Sequence, residues 1–382
     1  MSEEKKPVIV YGGSFDPPHR GHAALAAAAL RQLDPAFFYF VPGFRTPFKD
    51  FMPVPYGARA AMLRAAMEEE GFGGDVRIRI SPFEAARRRV VYTWETLSHF
   101  RRLHPRSEMF FLMGSDCLEG FSRWRRPDLI LRNARLLVGP RPGYAAASSG
   151  VPFSRLAGSF PEADSTGIRA RLFLGGRPAQ LQRSVQELLE KKSFYLFRER
   201  ALLRELLSPR RYEHTLLTAE LALQLAGRVG VPQRKAALAA LLHDCARDLP
   251  LPAQRRLCPK NVPLRGEMFR EAPLLAHVWA GAELARKRFS VRDPEVLGAI
   301  RLHATGAPGM GPLARLVYIS DLANRGRSFR EASLVRRLAV LDPAAAFRAA
   351  NYVKLVYAFS AGGWVHPLSV ALWNSLREEK KG

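Results

Sequence analysis

The chain has 382 residues, more than one hydrophobic core usually organises, so two domains are expected. Its hydrophobic content of 47% is that of a globular protein and argues against long disorder, while 59 Lys+Arg against 35 Asp+Glu leave a formal net charge of +24. Such a field attracts polyanions; phosphate-rich small ligands account for it as well as a compositional habit does, and nucleic acid ranks behind both as a partner. Cys117, Cys245 and Cys258 are widely spaced with no C-x-x-C, which excludes a cysteine zinc finger and fits a reducing compartment. Met1 to Pro7 is charged and leads at once into a strand, and no apolar run reaches about 18 residues. Neither a signal peptide nor a spanning helix is therefore expected, and the cytoplasm is the expected location.

Val8 to Tyr11 reads as a strand, Gly12-Gly13-Ser14-Phe15-Asp16-Pro17-Pro18 as a turn, and the Ala/Leu-rich run to Leu33 as a helix. The unpaired amides of that helix point at the turn and can bind an anion. His19 and His22, three apart, share one helical face, which makes a triphosphate cradle of the whole unit. There is no G-x-G-x-x-G and no Walker A lysine. Phe37 to Val41 is a second strand, and the loop after it carries Arg45 and Lys49 at the strand's C-terminal end, where an open parallel sheet binds ligands. Tyr56 to Glu70 is helical, closed by Gly71, with Arg59 on its polar side and expected in solvent. Val76 to Ile80 and Val90-Val91-Tyr92 read as strands, Thr93 to Leu103 as a helix, and Met109 to Met113 as a central parallel strand. Asp116, just past that strand, is a site candidate for a ribose hydroxyl. Leu118 to Trp124 looks helical, and Trp124 can stack on a planar ring, although a core role is the commoner one for tryptophan. Leu136 to Val138 is a further strand, Gly143 to Ser159 an exposed loop, and Ser165, Thr166 and Arg169 form a second phosphate grip before a helix spanning Ala170 to Leu174.

Gly12 to His22, Pro47-Phe48-Lys49, Tyr92 to Leu97, Phe111 to Leu118 with Trp124, and Ser165 to Arg169 together resemble bacterial nicotinate mononucleotide adenylyltransferase, in order over about Pro7 to Phe197. The resemblance implies a Rossmann-like α/β nucleotidylyltransferase domain with a parallel sheet over residues 1–197, acting on ATP with Mg²⁺. It implies that His19 and His22 act at the ATP phosphates with Lys49 as helper. Gly12, Gly13, Ser14, Phe15, Asp116, Ser165, Thr166 and Arg169 would bind ATP, and Thr93 and Trp124 would line the nicotinate pocket. Two departures stand out: Asp164 where the family has serine, a carboxylate that would repel phosphate unless turned away, and Phe48 where it commonly has histidine.

Near Phe197 the strand and helix alternation stops, and every strong pattern beyond it is helical, which suggests an all-α second domain over residues 198–382. The apolar helix from Pro232 ends in His243-Asp244, a pair that is costly to bury unless ligated or hydrogen bonded. With His214, His277, His303 and Asp321 on other helices it forms a donor set suited to a transition metal rather than to Ca²⁺. The ordered set resembles the HD phosphohydrolase superfamily, in its YqeK-like branch, over about Arg211 to Leu376. That resemblance implies a di-metal centre of Fe or Mn: His214, His243, Asp244 and Asp321 on one metal, His277 and His303 serving a second, and Asp244 bridging. It also implies symmetrical hydrolysis of diadenosine tetraphosphate. Arg247 stands where the family often has lysine, Asn324 replaces an acidic residue, and His366 is expected to close helix packing outside the metal set. The competing readings are a regulatory nucleotide-binding module in place of the second enzyme and, from charge alone, a nucleic-acid binder. Small nucleotides are the expected partners, no membrane is involved, and homo-oligomerisation stays open.

Overall fold

A computed structural model describes residues 6–45, 54–141 and 150–378. The chain divides into two compact units, residues 1–172 with 177–194, and residues 173–176 with 195–382.

The first unit is built on six parallel strands, β1 (Val8–Gly13), β2 (Phe37–Pro42), β3 (Ile78–Ile80), β4 (Met109–Gly114), β5 (Arg135–Gly139) and β6 (Phe153–Arg155), in the order β3-β2-β1-β4-β5-β6. The strand order reverses between β1 and β4, and ligands bind at the carboxyl ends of strands at such a point. Both faces are buried, which is why β1, β2 and β4 are nearly unbroken apolar runs. Ile9, Tyr11, Phe38, Phe40 and Leu112 pack on one face with α1 (Arg20–Leu33) and α2 (Tyr56–Met67). On the other face, Val8, Val10, Tyr39, Phe111 and Met113 pack with α4 (Thr93–Leu103) and α5 (Pro127–Asn133). The short α3 (Phe83–Ala86), then α6 (Ser165–Phe173) and α7 (Arg183–Lys191), complete the run of helices up to residue 191.

Four expectations change. Val90-Val91-Tyr92 is not a strand: Tyr92 is the extended residue that opens α4, and its amide is taken by Glu95 at 2.9 Å. Leu118 to Trp124 is not a continuous helix but follows one 3₁₀ turn, Ser115–Cys117, and contains another, Phe121–Arg123, separated at Gly120. The stretch after Gly143 is not all loop, since β6 pairs with the edge of β5. Arg59 is not in solvent: it is 1% exposed, and its guanidinium donates to the carbonyls of Val54, Ser14 and Gly43 at 2.7, 2.5 and 2.7 Å, tying the ends of β1 and β2 together.

The second unit is helical: α8 (Phe197–Leu206), α9 (Pro209–Ala226), α10 (Gln233–Leu242), α11 (Leu251–Leu257), α12 (Arg265–Glu271), α13 (Ala276–Arg288), α14 (Pro294–Leu302), α15 (Pro312–Ala323), α16 (Arg330–Leu341), α17 (Pro343–Ser360) and α18 (Pro367–Glu378). Past its polar first turn, Gln233 to Lys235, alanine and leucine make α10 apolar all round, and it is buried from Ala236 to Leu242, the position of a central helix. Among the described residues no helix is long and apolar enough to cross a membrane.

Candidate active sites

In the first unit, β1 delivers Gly12 and Gly13 to the carboxyl edge of the sheet, and the turn after them leads to His19 at the head of α1. The two imidazoles stack with centroids 3.7 Å apart, and Nδ1 of His22 accepts from the His19 amide at 3.3 Å, so a neutral His22 carries its proton on Nε2. Gly21 makes room: a Cβ there would come within 3.2 Å of the His19 ring and 3.4 Å of the Pro161 carbonyl. Burial, then the Arg141 charge, pushes His19 down to about 4, so it meets a ligand as a neutral imidazole rather than the cation a purely electrostatic role assumes. Phe15 is 1% exposed, its ring packed on Tyr11, His22 and Phe40, so its side chain belongs to the core.

The second grip closes on the first. Arg169, in α6, is buried and donates from Nη1 to the Asp16 carbonyl at 2.9 Å and from Nη2 to the Thr166 hydroxyl at 3.2 Å. Helix α6 begins at Ser165, five residues before the expected Ala170, because Asp164 caps it: its Oδ1 accepts from the amides of Thr166 and Gly167 at 2.8 and 2.9 Å. Those two backbone donors are therefore taken, and the grip is left to side chains.

Asp116 follows β4 and is held by Arg141, Nη1 to Oδ2 at 2.5 Å, while the other guanidinium nitrogen reaches the Ala163 carbonyl at 2.9 Å. Arg141 was missed in the sequence although it follows strand β5 as Asp116 follows β4. Thr93 is the first residue of α4, and Trp124 packs on Phe121 and Phe111 with centroids 5.4 and 6.2 Å away. The guanidinium of Arg125 lies 4.8 Å over the Tyr92 ring, which brings the Trp124 and Thr93 segments together. Lys49 lies outside the described residues.

In the second unit the six candidate ligands meet. His214 Nε2 is 3.1 Å from Asp321 Oδ1, and His243 Nε2 is 3.7 Å from the same oxygen and 3.8 Å from Asp244 Oδ2. Asp244 Oδ1 faces His277 Nε2 at 3.1 Å and His303 Nε2 at 3.5 Å. Two triads result, His214/His243/Asp321 and His243/Asp244/His303, with His243 in both. Each triad has its ligand atoms within 4.8 Å of one another.

The protonation pattern fits a metal. A carbonyl only accepts, so the contacts of His243 Nδ1 to Ala240 O at 2.6 Å and of His303 Nδ1 to Ile300 O at 2.8 Å place those protons on Nδ1. That leaves both Nε2 atoms without a proton of their own: His243 Nε2 is turned toward carboxylates, which offer none, and His303 Nε2 faces Asp244 and, at 3.2 Å, His277 Nε2. His243 Nε2 is fully buried and makes no hydrogen bond, and burial pushes the imidazole down to about 3. His277 Nδ1 can accept from Arg247 at 2.7 Å or donate to Leu274 O at 2.5 Å, and only donation leaves its Nε2 free for a cation. Burial would raise Asp244, but the imidazoles of His243, His277 and His303 around it hold its carboxyl well below the usual carboxylate range. Bare buried nitrogens beside ionised carboxylates are costly without a cation among them. The clustered His and Asp residues can thus hold a di-metal centre.

The surroundings add basic groups. Lys354 of α17 reaches Asp321 Oδ2 at 3.1 Å, Arg327 reaches Oδ1 at 3.2 Å, and Arg211 bridges Asp248 at 2.7 Å and Asp244 at 3.5 Å. Asn324 is fully buried and donates to the carbonyls of Ser320 and Asp321, so the lost acidic residue has become a structural amide. His366 sits between Trp279 and Trp364, outside the cluster.

A cytidylyltransferase-like family model matches residues 10–172, and an HD domain model matches residues 211–326. A nicotinate-nucleotide adenylyltransferase of Helicobacter pylori is 31% identical over 167 residues, 44% of this chain and 93% of its own. The chain belongs to the nicotinate-nucleotide adenylyltransferase family. A nicotinate-nucleotide adenylyltransferase/Ap4A hydrolase of Mycoplasma pneumoniae is 26% identical over 315 residues, covering 82% of this chain and 87% of its own length. A crystal structure of an HD superfamily hydrolase involved in NAD metabolism, from Clostridium acetobutylicum, shares 31% identity over 48% of this chain and 96% of that one, with a TM-score of 0.46. The chain is thus a bifunctional enzyme in which an adenylyltransferase domain is fused to an HD-superfamily phosphohydrolase domain.

Proposed function

We propose that the adenylyltransferase domain joins ATP and nicotinate mononucleotide into deamido-NAD, releasing pyrophosphate, and that the HD domain splits diadenosine tetraphosphate into two ADP. The observation that carries the first half is the Arg169–Asp16 contact, which closes the late Ser-Thr-Arg grip onto the turn that leads to the two histidines. An oxygen of the mononucleotide phosphate, ionised at neutral pH, forms a bond to the α-phosphorus of ATP as the α–β bridging bond breaks. Bringing two anions together is the main obstacle, and donors fixed in advance lower it. His22 offers Nε2–H, the neutral His19 ring sits against it, and Arg169, Thr166 and Arg141 supply charge and hydroxyl donors around the phosphates. Mg²⁺ accompanies ATP as its counter-ion. Thr93 and Trp124 line the nicotinate end, with the indole against the pyridine ring.

In the HD domain the two oxygens of Asp244, Oδ2 facing His243 and Oδ1 facing His277 and His303, support two cations, Fe or Mn, which His214, His243, Asp244, His277, His303 and Asp321 would hold. Bound there, such a pair supplies a hydroxide at neutral pH and neutralises the anhydride oxygens. Arg211 and Arg327 border the carboxylates on the polyphosphate side. With three free thiols, the enzyme suits the cytoplasm.

The test gives purified full-length protein ATP with nicotinate mononucleotide, and separately diadenosine tetraphosphate with Mn²⁺. Deamido-NAD in the first assay and ADP as sole nucleotide product in the second are expected. Nicotinamide mononucleotide preferred as acceptor, or ATP plus AMP from the tetraphosphate, would overturn the respective half. Tight nucleotide binding by the second domain without turnover or bound metal would make it a regulatory module.

A further inference from the structure

Lys354 stands beyond residue 326, where the HD match ends, yet it touches both halves of the donor cluster. Its ammonium donates to the backbone carbonyl of His303 at 2.6 Å and to Asp321 Oδ2 at 3.1 Å, and it lies 3.9 Å over the ring of Tyr318. Carbonyl, carboxylate and ring face account for its three N–H groups, so no donor remains for a substrate phosphate. This is not an exposed ion pair of small effect: the side chains of Lys354 and Asp321 are 17% and 15% exposed. The two oxygens of Asp321 are also divided. Oδ1 faces His214, His243 and Arg327, and Oδ2 is the one Lys354 holds.

We infer that Lys354 is a positioning residue of the metal site: by tying Oδ2 of Asp321 to the backbone at His303, it makes the carboxylate present Oδ1 alone to the cations and fixes one triad against the other. The inference rests on the metal-centre reading above. A positive charge beside a carboxylate does not draw divalent ions, so affinity is not what Lys354 contributes. Without it, Oδ2 loses a partner and becomes free to join Oδ1 as a second ligand.

Co²⁺ is the probe, because its visible absorption weakens as its coordination number rises. Full-length wild type, Lys354→Met and Lys354→Arg are loaded with Co²⁺, and metal per chain, visible spectrum and release of ADP from diadenosine tetraphosphate are measured. Lys354→Met is expected to take up at least as much Co²⁺ as wild type, with a weaker visible band and at least about tenfold lower turnover. Lys354→Arg, which keeps the charge and can span both oxygens, restores the spectrum. A Lys354→Met spectrum that superimposes on wild type, or loss of Co²⁺ by that variant, overturns the inference. If Lys354→Met does not fold, Lys354→Gln, which keeps a donor for one of the two oxygens, carries the same comparison. No Co²⁺ uptake by wild type overturns the metal-centre reading instead.

Discussion

Arg169 donates to the carbonyl of Asp16 at 2.9 Å across 153 positions of chain. Arg169 is 4% exposed, so its guanidinium is desolvated before any ligand arrives. Arg169→Met should therefore lower kcat/KM for ATP by about 100-fold, roughly 3 kcal/mol of transition-state stabilisation. Steady-state adenylation with calorimetric melting checks this; a variant that melts early but turns over normally would assign Arg169 to the fold alone. His22→Ala should show the same separation, with activity lost far more than stability.

His19 titrates at about 4 in the folded chain against 6.5 for the free side chain. A depressed histidine keeps its full contribution above the unfolded value and loses it as pH falls toward the folded one. Between pH 7 and pH 5 the protein should lose roughly 2 kcal/mol through this group. Denaturant unfolding of wild type against His19→Gln measures it, and the variant should have the shallower pH dependence.

Asp164 separates cap from charge. Asp164→Asn retains an acceptor for the Thr166 and Gly167 amides while removing the negative charge from the triphosphate grip. It should lower the KM for ATP several-fold at unchanged melting temperature. Asp164→Ala should cost about 1 kcal/mol of stability as the amides lose their partner. A raised KM in the Asn variant would instead make the carboxylate a ligand for the cation that travels with ATP.

Asp244 faces three imidazoles, and Asp244→Asn should reduce ADP release at least about 1000-fold and lower metal content per chain, with adenylation unchanged. Elemental analysis beside the two assays reads all three quantities.

Strands β1, β2, β4 and β5 were legible because a sheet covered on both faces needs apolar runs, and these are dense in Val, Ile, Leu and Phe. β6 was not, since an edge strand of three residues, two of them exposed, carries no such run. Val90-Val91-Tyr92 misled for the opposite reason: β-branched composition suggested a ladder where Tyr92 instead opens α4. The metal donors were readable as residue types because histidine and aspartate at the ends of apolar helices are costly, and the structure brings them together. Arg59, Arg141 and Lys354 were not, because a basic side chain on a helix or loop is by default solvated, and only the fold reveals which carbonyls and carboxylates enclose it.

Lys354 follows Asp321 by 33 positions, close to the end of the chain, whereas the grip of the first domain is complete once Arg169 has been made. Emerging from the ribosome, the polypeptide can assemble its nucleotide-joining half long before its hydrolytic half is finished. A nascent or prematurely terminated chain would then synthesise without degrading, and stop codons placed after Asp321 but before Lys354 would uncouple the two activities by length alone.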